Sequence, residues 1–94
     1  MRIEWSEQAT FDLEEIADHY GALDPSLPEK LITRIYDAAL PLIEYPRLGE
    51  SVGYSNRRKW LAKKTPFLLI YEIRGDVILI VRAAHGMSDW KNFV

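Results

Sequence analysis

The sequence predicts an α+β domain of order β-α-α-β-β-β, in which a helical hairpin packs on a largely antiparallel four-stranded sheet. Three observations carry this. The first half of the chain holds two apolar stripes at helical spacing. The second half holds two nearly continuous apolar runs of strand length, 67–73 and 77–84. The length of 94 residues suits a single domain, 1–94, with one modest core.

Residues 1–5 alternate as a strand does, with Met1, Ile3 and Trp5 on one face. Ser6 suits a helix N-cap, and Glu7 falls in the first turn, where the helix dipole favours a carboxylate. Ala9, Leu13, Ile16, Ala17 and Tyr20 form the first stripe, and Gly21 is the expected stop. Phe11 lies off the stripe, at the helix flank or as an exposed contact. Asp24-Pro25 marks a turn. Ser26 and Glu29 then have the spacing of a capping box. The second stripe is Leu31, Ile35, Ala38 and Leu42, widened by Ile32, Ala39 and Ile43. Pro41 has no N–H and clashes with the preceding turn, at about 3 kcal/mol inside a helix. A kink or a new short turn is therefore expected there, and Pro46 ends the segment.

Residues 47–57 have the glycine, serine and asparagine content of a loop. A strand over 58–62 and a turn at Lys63-Lys64-Thr65-Pro66 follow. Arg74-Gly75-Asp76 joins the two apolar strands as a tight hairpin, with Gly75 at positive φ. Strands this apolar need cover on both faces. The helices cover one face, and a short chain leaves little for the other, which points to a second chain.

Charge divides along the chain. Residues 1–46 carry three basic and ten acidic side chains, and residues 47–94 carry nine basic and four acidic, for an overall −2. Such a dipole suits a face that meets an acidic or phosphate-bearing partner, or simply a solvated surface. The chain has no cysteine, which excludes a disulfide framework and fits a reducing cytoplasm. No leader precedes the first strand, and no apolar run reaches the length of a membrane span, so no membrane association is expected.

Familiar catalytic signatures are missing. His19 and His85 are far apart, and no zinc-ligand spacing occurs. The Gly49–Gly53 loop is not followed by the Gly-Lys-Ser/Thr of a phosphate-binding loop. No nucleophile elbow or nucleotide fingerprint is present, and no cofactor is expected. What remains is a cluster of basic, aromatic and histidine side chains on the last three strands.

In this order and spacing, several motifs resemble the ParE/RelE superfamily of type II toxins over almost the whole chain. They are Ile3-Glu4-Trp5-Ser6 with Ala9 and Leu13, Pro46-Arg47-Leu48-Gly49, Arg57-Arg58-Lys59-Trp60-Leu61, and 66–73. Ile80-Val81-Arg82-Ala83-Ala84-His85-Gly86 follows, ahead of Asp89-Trp90. The resemblance implies a cytoplasmic toxin neutralised by a cognate antitoxin, with no direct DNA binding of its own. RelE-like members cleave messenger RNA in the ribosome. ParE-like members poison DNA gyrase without hydrolysis.

RelE-like chemistry needs a group to move a proton and cations to meet phosphorane-like charge. The family's arginine positions near Leu68 or Leu69, and near Met87 or Ser88, hold none here. An acidic protein is also a poor competitor for ribosomal RNA. The resemblance therefore implies the ParE-like branch, with a nuclease and a member that only binds its antitoxin as alternatives.

If the chain were a nuclease, the set would be His85, Arg58, Arg82 and Lys59. Arg58 is also a candidate contact for target or antitoxin, or a salt bridge to the acidic first helix. Arg82 sits in an apolar strand, where a guanidinium needs a partner, so a buried or interfacial ion pair is expected. His85 follows the last strand, as an acid or base or as a hydrogen-bonded strand end. Trp60, Tyr71 and Trp90 could share a surface pocket; Tyr71 is expected in the core, and Trp90 exposed or against a partner.

Overall fold

The computed structural model describes residues 1–53, 55–87 and 90–94. Ser88 and Asp89 of the tail motif lie outside the described residues, as does Tyr54 of the loop. The elements are β1 Arg2–Trp5, α1 Glu7–Leu23, α2 Leu27–Ala39, α3 Pro41–Glu44, β2 Glu50–Ser51, β3 Arg57–Leu61, β4 Phe67–Arg74 and β5 Val77–His85. A short 3-10 turn, Trp90–Phe93, follows.

The strands form one five-stranded mixed sheet in the order β1-β5-β4-β3-β2. This corrects the expected four-stranded count in one place. The extra strand is β2, two residues inside the segment whose composition reads as loop, paired antiparallel to Arg58 and Lys59. Its pattern is too short to register as a period. β1 runs parallel to β5 at the sheet edge, and the other pairings are antiparallel.

Local signals explain most boundaries. Ser6 Oγ accepts from the Ala9 N–H at 3.0 Å and donates to the Val81 carbonyl at 2.7 Å, so one hydroxyl starts α1 and pins it to β5. Pro41 opens α3 as a separate turn, which leaves Leu42 fully buried in the core. Gly75 has φ 58° in the two-residue β4–β5 connection.

Two expected signals act differently. Gly21 does not end α1, which continues to Leu23. A Cβ at Gly21 would lie 3.2 Å from Pro28 Cγ, so the glycine lets the start of α2 approach closely. Ser26 makes no side-chain cap to α2. Its N–H and hydroxyl both donate to Asp24 Oδ1 at 2.9 Å, so the carboxylate outcompetes the capping box by forming an Asx turn. The same two bonds lower the Asp24 pKa.

The core lies between the helices and one face of the sheet, and includes Leu13, Ile35, Leu42, Leu69, Tyr71, Ile78 and Ile80. Ile70 and Ala84 are also buried but lie outside this cluster, on the open face. The 3-10 turn crosses that face, with Phe93 against Arg82 and Trp90 against Lys59. The chain therefore covers part of its second face itself, where the strand pattern alone points to a second chain. Phe11 is exposed.

Candidate functional site

β1 pairs with β5 only as far as Ile80. Beyond that point the edge of β5 is met by α1, and Asp12 takes the place of a strand. Its Oδ2 accepts from the Ala83 N–H at 3.0 Å and from Arg82 Nε at 2.8 Å; its Oδ1 accepts from Arg82 Nη2 at 2.9 Å. The bidentate bond raises the Arg82 pKa, burial opposes it, and the charges of Asp12 and Glu15 add to the rise. The buried ion pair expected of Arg82 is present, with a partner that sequence reading leaves among the scattered acids of α1.

Beside this pair is an open cleft of about 390 Å³. Glu15 and His19 of α1 face Arg82 and His85 of β5 across it, over Tyr20 and Phe67. The rings make an edge-to-face series, His19 on Tyr20 at 5.1 Å, Tyr20 on Phe67 at 6.1 Å and Phe67 on His85 at 5.7 Å. Two histidines that are 66 positions apart in sequence thus share one cleft. His85 Nδ1 accepts from the Met87 N–H at 3.1 Å, and among the described residues Nε2 has no hydrogen-bond partner.

The other candidates fall elsewhere. Arg58 donates to the Gly49 carbonyl at 2.7 Å and more weakly to the Arg47 carbonyl at 3.4 Å. It makes no bridge to α1; it fastens the loop that precedes β2. Tyr71 is fully buried and fastens the same loop, donating to the Pro46 carbonyl at 2.6 Å and accepting from the Gly49 N–H at 2.9 Å. A Cβ at Gly49 would fall 2.5 Å from the Tyr71 ring, so only glycine fits. Burial raises the Tyr71 pKa, against the Gly49 hydrogen bond and the Arg58 charge.

Lys59 sits 3.5 Å from Glu50 and 4.2 Å from the centre of the Trp90 ring. Trp60 Nε1 donates to the Ala38 carbonyl at 2.8 Å. Trp60, Tyr71 and Trp90 share no pocket. Trp60 and Tyr71 face the helices, and Trp90 is half-buried on the open side over Lys59.

Cross-strand register decides which candidates can act together. Directly paired residues share a face. Lys59, Ile70 and Arg82 form one row on the open face. Arg58, Tyr71 and Ile80 form a row on the helix face, and Phe67 with His85 another. Of the four residues of a would-be nuclease, Arg58 and His85 therefore lie on one face and Lys59 and Arg82 on the other, and only Arg82 and His85 meet, in the cleft at the β5 edge.

Sequence reading quotes Arg57 and Glu72 within motifs but gives them no role. The buried Glu72 carboxylate receives Arg57 Nε at 3.0 Å and Arg74 Nε at 2.7 Å. Burial alone would raise the Glu72 pKa; the two arginines more than offset it and hold the carboxyl below its usual range. Arg57 also donates to the Phe93 carbonyl, which ties down the C-terminal turn. An acid inside the apolar run 67–73 is the signal that could have revealed this pair.

A helical hairpin on a mostly antiparallel sheet is the architecture that the resemblance to small toxins implies. The family model described as the ParE toxin of the type II toxin–antitoxin system parDE matches residues 3–90. The chain belongs to this family, whose members have a cognate antitoxin as partner. It is 33% identical over 85 residues to the candidate toxin Y4kP of Sinorhizobium fredii, covering 89% of this chain and 88% of that protein. It is 29% identical over 85 residues to Toxin RelE2 of Caulobacter vibrioides, covering 90% and 94%. A solved structure of the chromosomal ParDE system from P. aeruginosa superposes with a TM-score of 0.81 at 26% identity, covering 90% of this chain and 95% of that one. Among the described residues, no helix is long and apolar enough to cross a membrane.

Proposed function

We propose that this toxin acts by binding, as a DNA gyrase inhibitor of a plasmid- or chromosome-borne module, and that it hydrolyses no RNA. The observation that carries the non-hydrolytic reading is the division of the candidate set. Proton transfer needs an acid or base within hydrogen-bond reach of the reacting atom, and developing phosphate charge needs cations free to meet it. Here His85 and Lys59 lie on opposite faces. Arg82 is held by Asp12, and Arg58 by backbone carbonyls. Membership in the ParE family favours gyrase as the target. With purified gyrase, toxin in excess is expected to inhibit supercoiling; unaffected supercoiling would count against the proposal.

The second reading is a ribosome-dependent endoribonuclease. It is favoured by the 29% identity to Toxin RelE2 and by His85 facing the cleft it shares with Arg82. It predicts messenger cleavage on translating ribosomes that disappears in His85→Ala. Intact transcripts during toxin expression would exclude it.

A further inference from the structure

A second hollow of about 390 Å³, which shares no lining residue with the histidine cleft, lies between α2, the start of α3 and the β3–β4 turn. Its floor is apolar, with Ala38, Pro41, Trp60 and Leu61. The Trp60 indole is oriented in this floor by its hydrogen bond to the Ala38 carbonyl. Around it stand Arg34, Lys63 and Lys64, with Asp37 as the one acid. Among the described residues none of these three cations is in an ion pair.

The two lysines are held out by the turn itself. Thr65 donates to the Ala62 carbonyl through both its N–H (3.0 Å) and its hydroxyl (2.7 Å), and Ala62 is fully buried. Lys64 takes φ 66°, the left-handed region that a non-glycine residue occupies at a steric cost. The chain as a whole is acidic, so a free positive cluster beside exposed apolar surface runs against its overall charge.

The hollow does not end at Leu61. A second depression of about 420 Å³ shares Trp60, Leu61 and Lys63 with it and continues to Leu48, Leu68 and the Lys59–Glu50 ion pair, so its charged residues there already neutralise each other. Leu48 and Leu61 are both exposed. Together the two depressions make a track around the Leu61 end of β3, reaching Glu50 of β2. A track with an apolar floor and a cationic rim fits an extended or amphipathic polypeptide rather than a phosphate backbone, which would leave Trp60 and Leu61 uncovered.

We propose that this track docks an acidic segment of the cognate antitoxin, with a bulky apolar side chain against Trp60 and carboxylates against Arg34, Lys63 and Lys64. The occupant is chosen by charge complementarity and by the family, whose members have an antitoxin partner. The proposal rests on that membership and not on gyrase as the target. Rim charges chiefly govern the encounter rate and its salt dependence, while the apolar anchor governs release.

The test uses the toxin with its cognate antitoxin. The double reversal Arg34→Glu with Lys63→Glu is expected to weaken the complex by about tenfold or more, mainly through slower association, and to flatten its salt dependence. Arg2→Glu, at an exposed cation on β1 at the opposite end of the sheet from β3, is expected to leave affinity within about twofold. In a second measurement, a photo-crosslinking residue at Leu61 is expected to capture an antitoxin peptide that contains carboxylates. A double reversal that binds within about twofold of wild type overturns the proposal. So does a crosslink to a second copy of the toxin, to nucleic acid, or to an antitoxin peptide without acids. Gyrase supercoiling measured with the same double variant separates the two proposals: inhibition retained while antitoxin binding falls leaves both standing.

Discussion

The cations of the sheet and the cations around the α2 hollow differ in what already holds them. On the sheet, Arg82 is bound by Asp12, Arg57 by Glu72, Arg58 by the Gly49 carbonyl, and Lys59 lies between Glu50 and Trp90. Around the hollow, Arg34, Lys63 and Lys64 have no such partners among the described residues. The first group is part of the fold, and the second is available to another molecule. The basic character of residues 47–94 therefore overstates the charge that a target can meet.

The largest break in this contrast comes from Asp12. Replacing it by Ala strands the Arg82 guanidinium, only about a quarter exposed, and the Ala83 N–H without an acceptor. The expected loss is about 2 kcal/mol in chemical denaturation, because the remaining charge stays partly buried without its carboxylate, and the Ala83 N–H loses its acceptor. A loss under about 1 kcal/mol would mean that Arg82 is free to act elsewhere.

Tyr71→Phe removes the hydroxyl that serves both the Pro46 carbonyl and the Gly49 N–H. About 2 kcal/mol of stability is expected to go with it, since two backbone groups lose their partner. A melting curve is enough to check this, and an unchanged midpoint would show that Arg58 alone holds the loop.

Glu72 adds a pH dependence. Its folded-state pKa is depressed, so the stability it contributes is present above its unfolded value, near 4.5, and is lost as pH falls through the lower folded value. Wild type is expected to lose stability below pH 4.5 more steeply than Glu72→Gln, which starts lower but changes less. Parallel curves for the two proteins would refute the link.

The smallest effect sharpens the other side of the contrast. Lys63→Gln is expected to shift stability by no more than about 0.5 kcal/mol, as befits an exposed cation without a partner. A larger loss would place Lys63 with the structural group.

Much of the fold is legible in the sequence because its signals are local. The Ser6 cap, the Pro41 break and the Gly75 hairpin each depend on a few neighbours. The residues that escape are those whose partners are remote. Asp12 acts on β5, 70 positions away, and nothing near it marks it apart from Glu14 or Glu15. β2 exists only because Arg58 and Lys59 offer it an edge. Arg82, His85 and Lys59 are visible as chemistry-bearing types, yet the face each one occupies depends on strand register and on the irregularity at Ile70/Tyr71. Composition carries neither of these.

Supercoiling by purified gyrase, titrated with wild-type toxin and with His85→Ala, tests the binding mechanism most directly. Equal inhibition by both proteins is the expected result, because His85 would have no reaction to serve. If neither protein inhibits gyrase, and wild type alone cleaves messenger on translating ribosomes, the binding mechanism is wrong and the histidine cleft is a nuclease site.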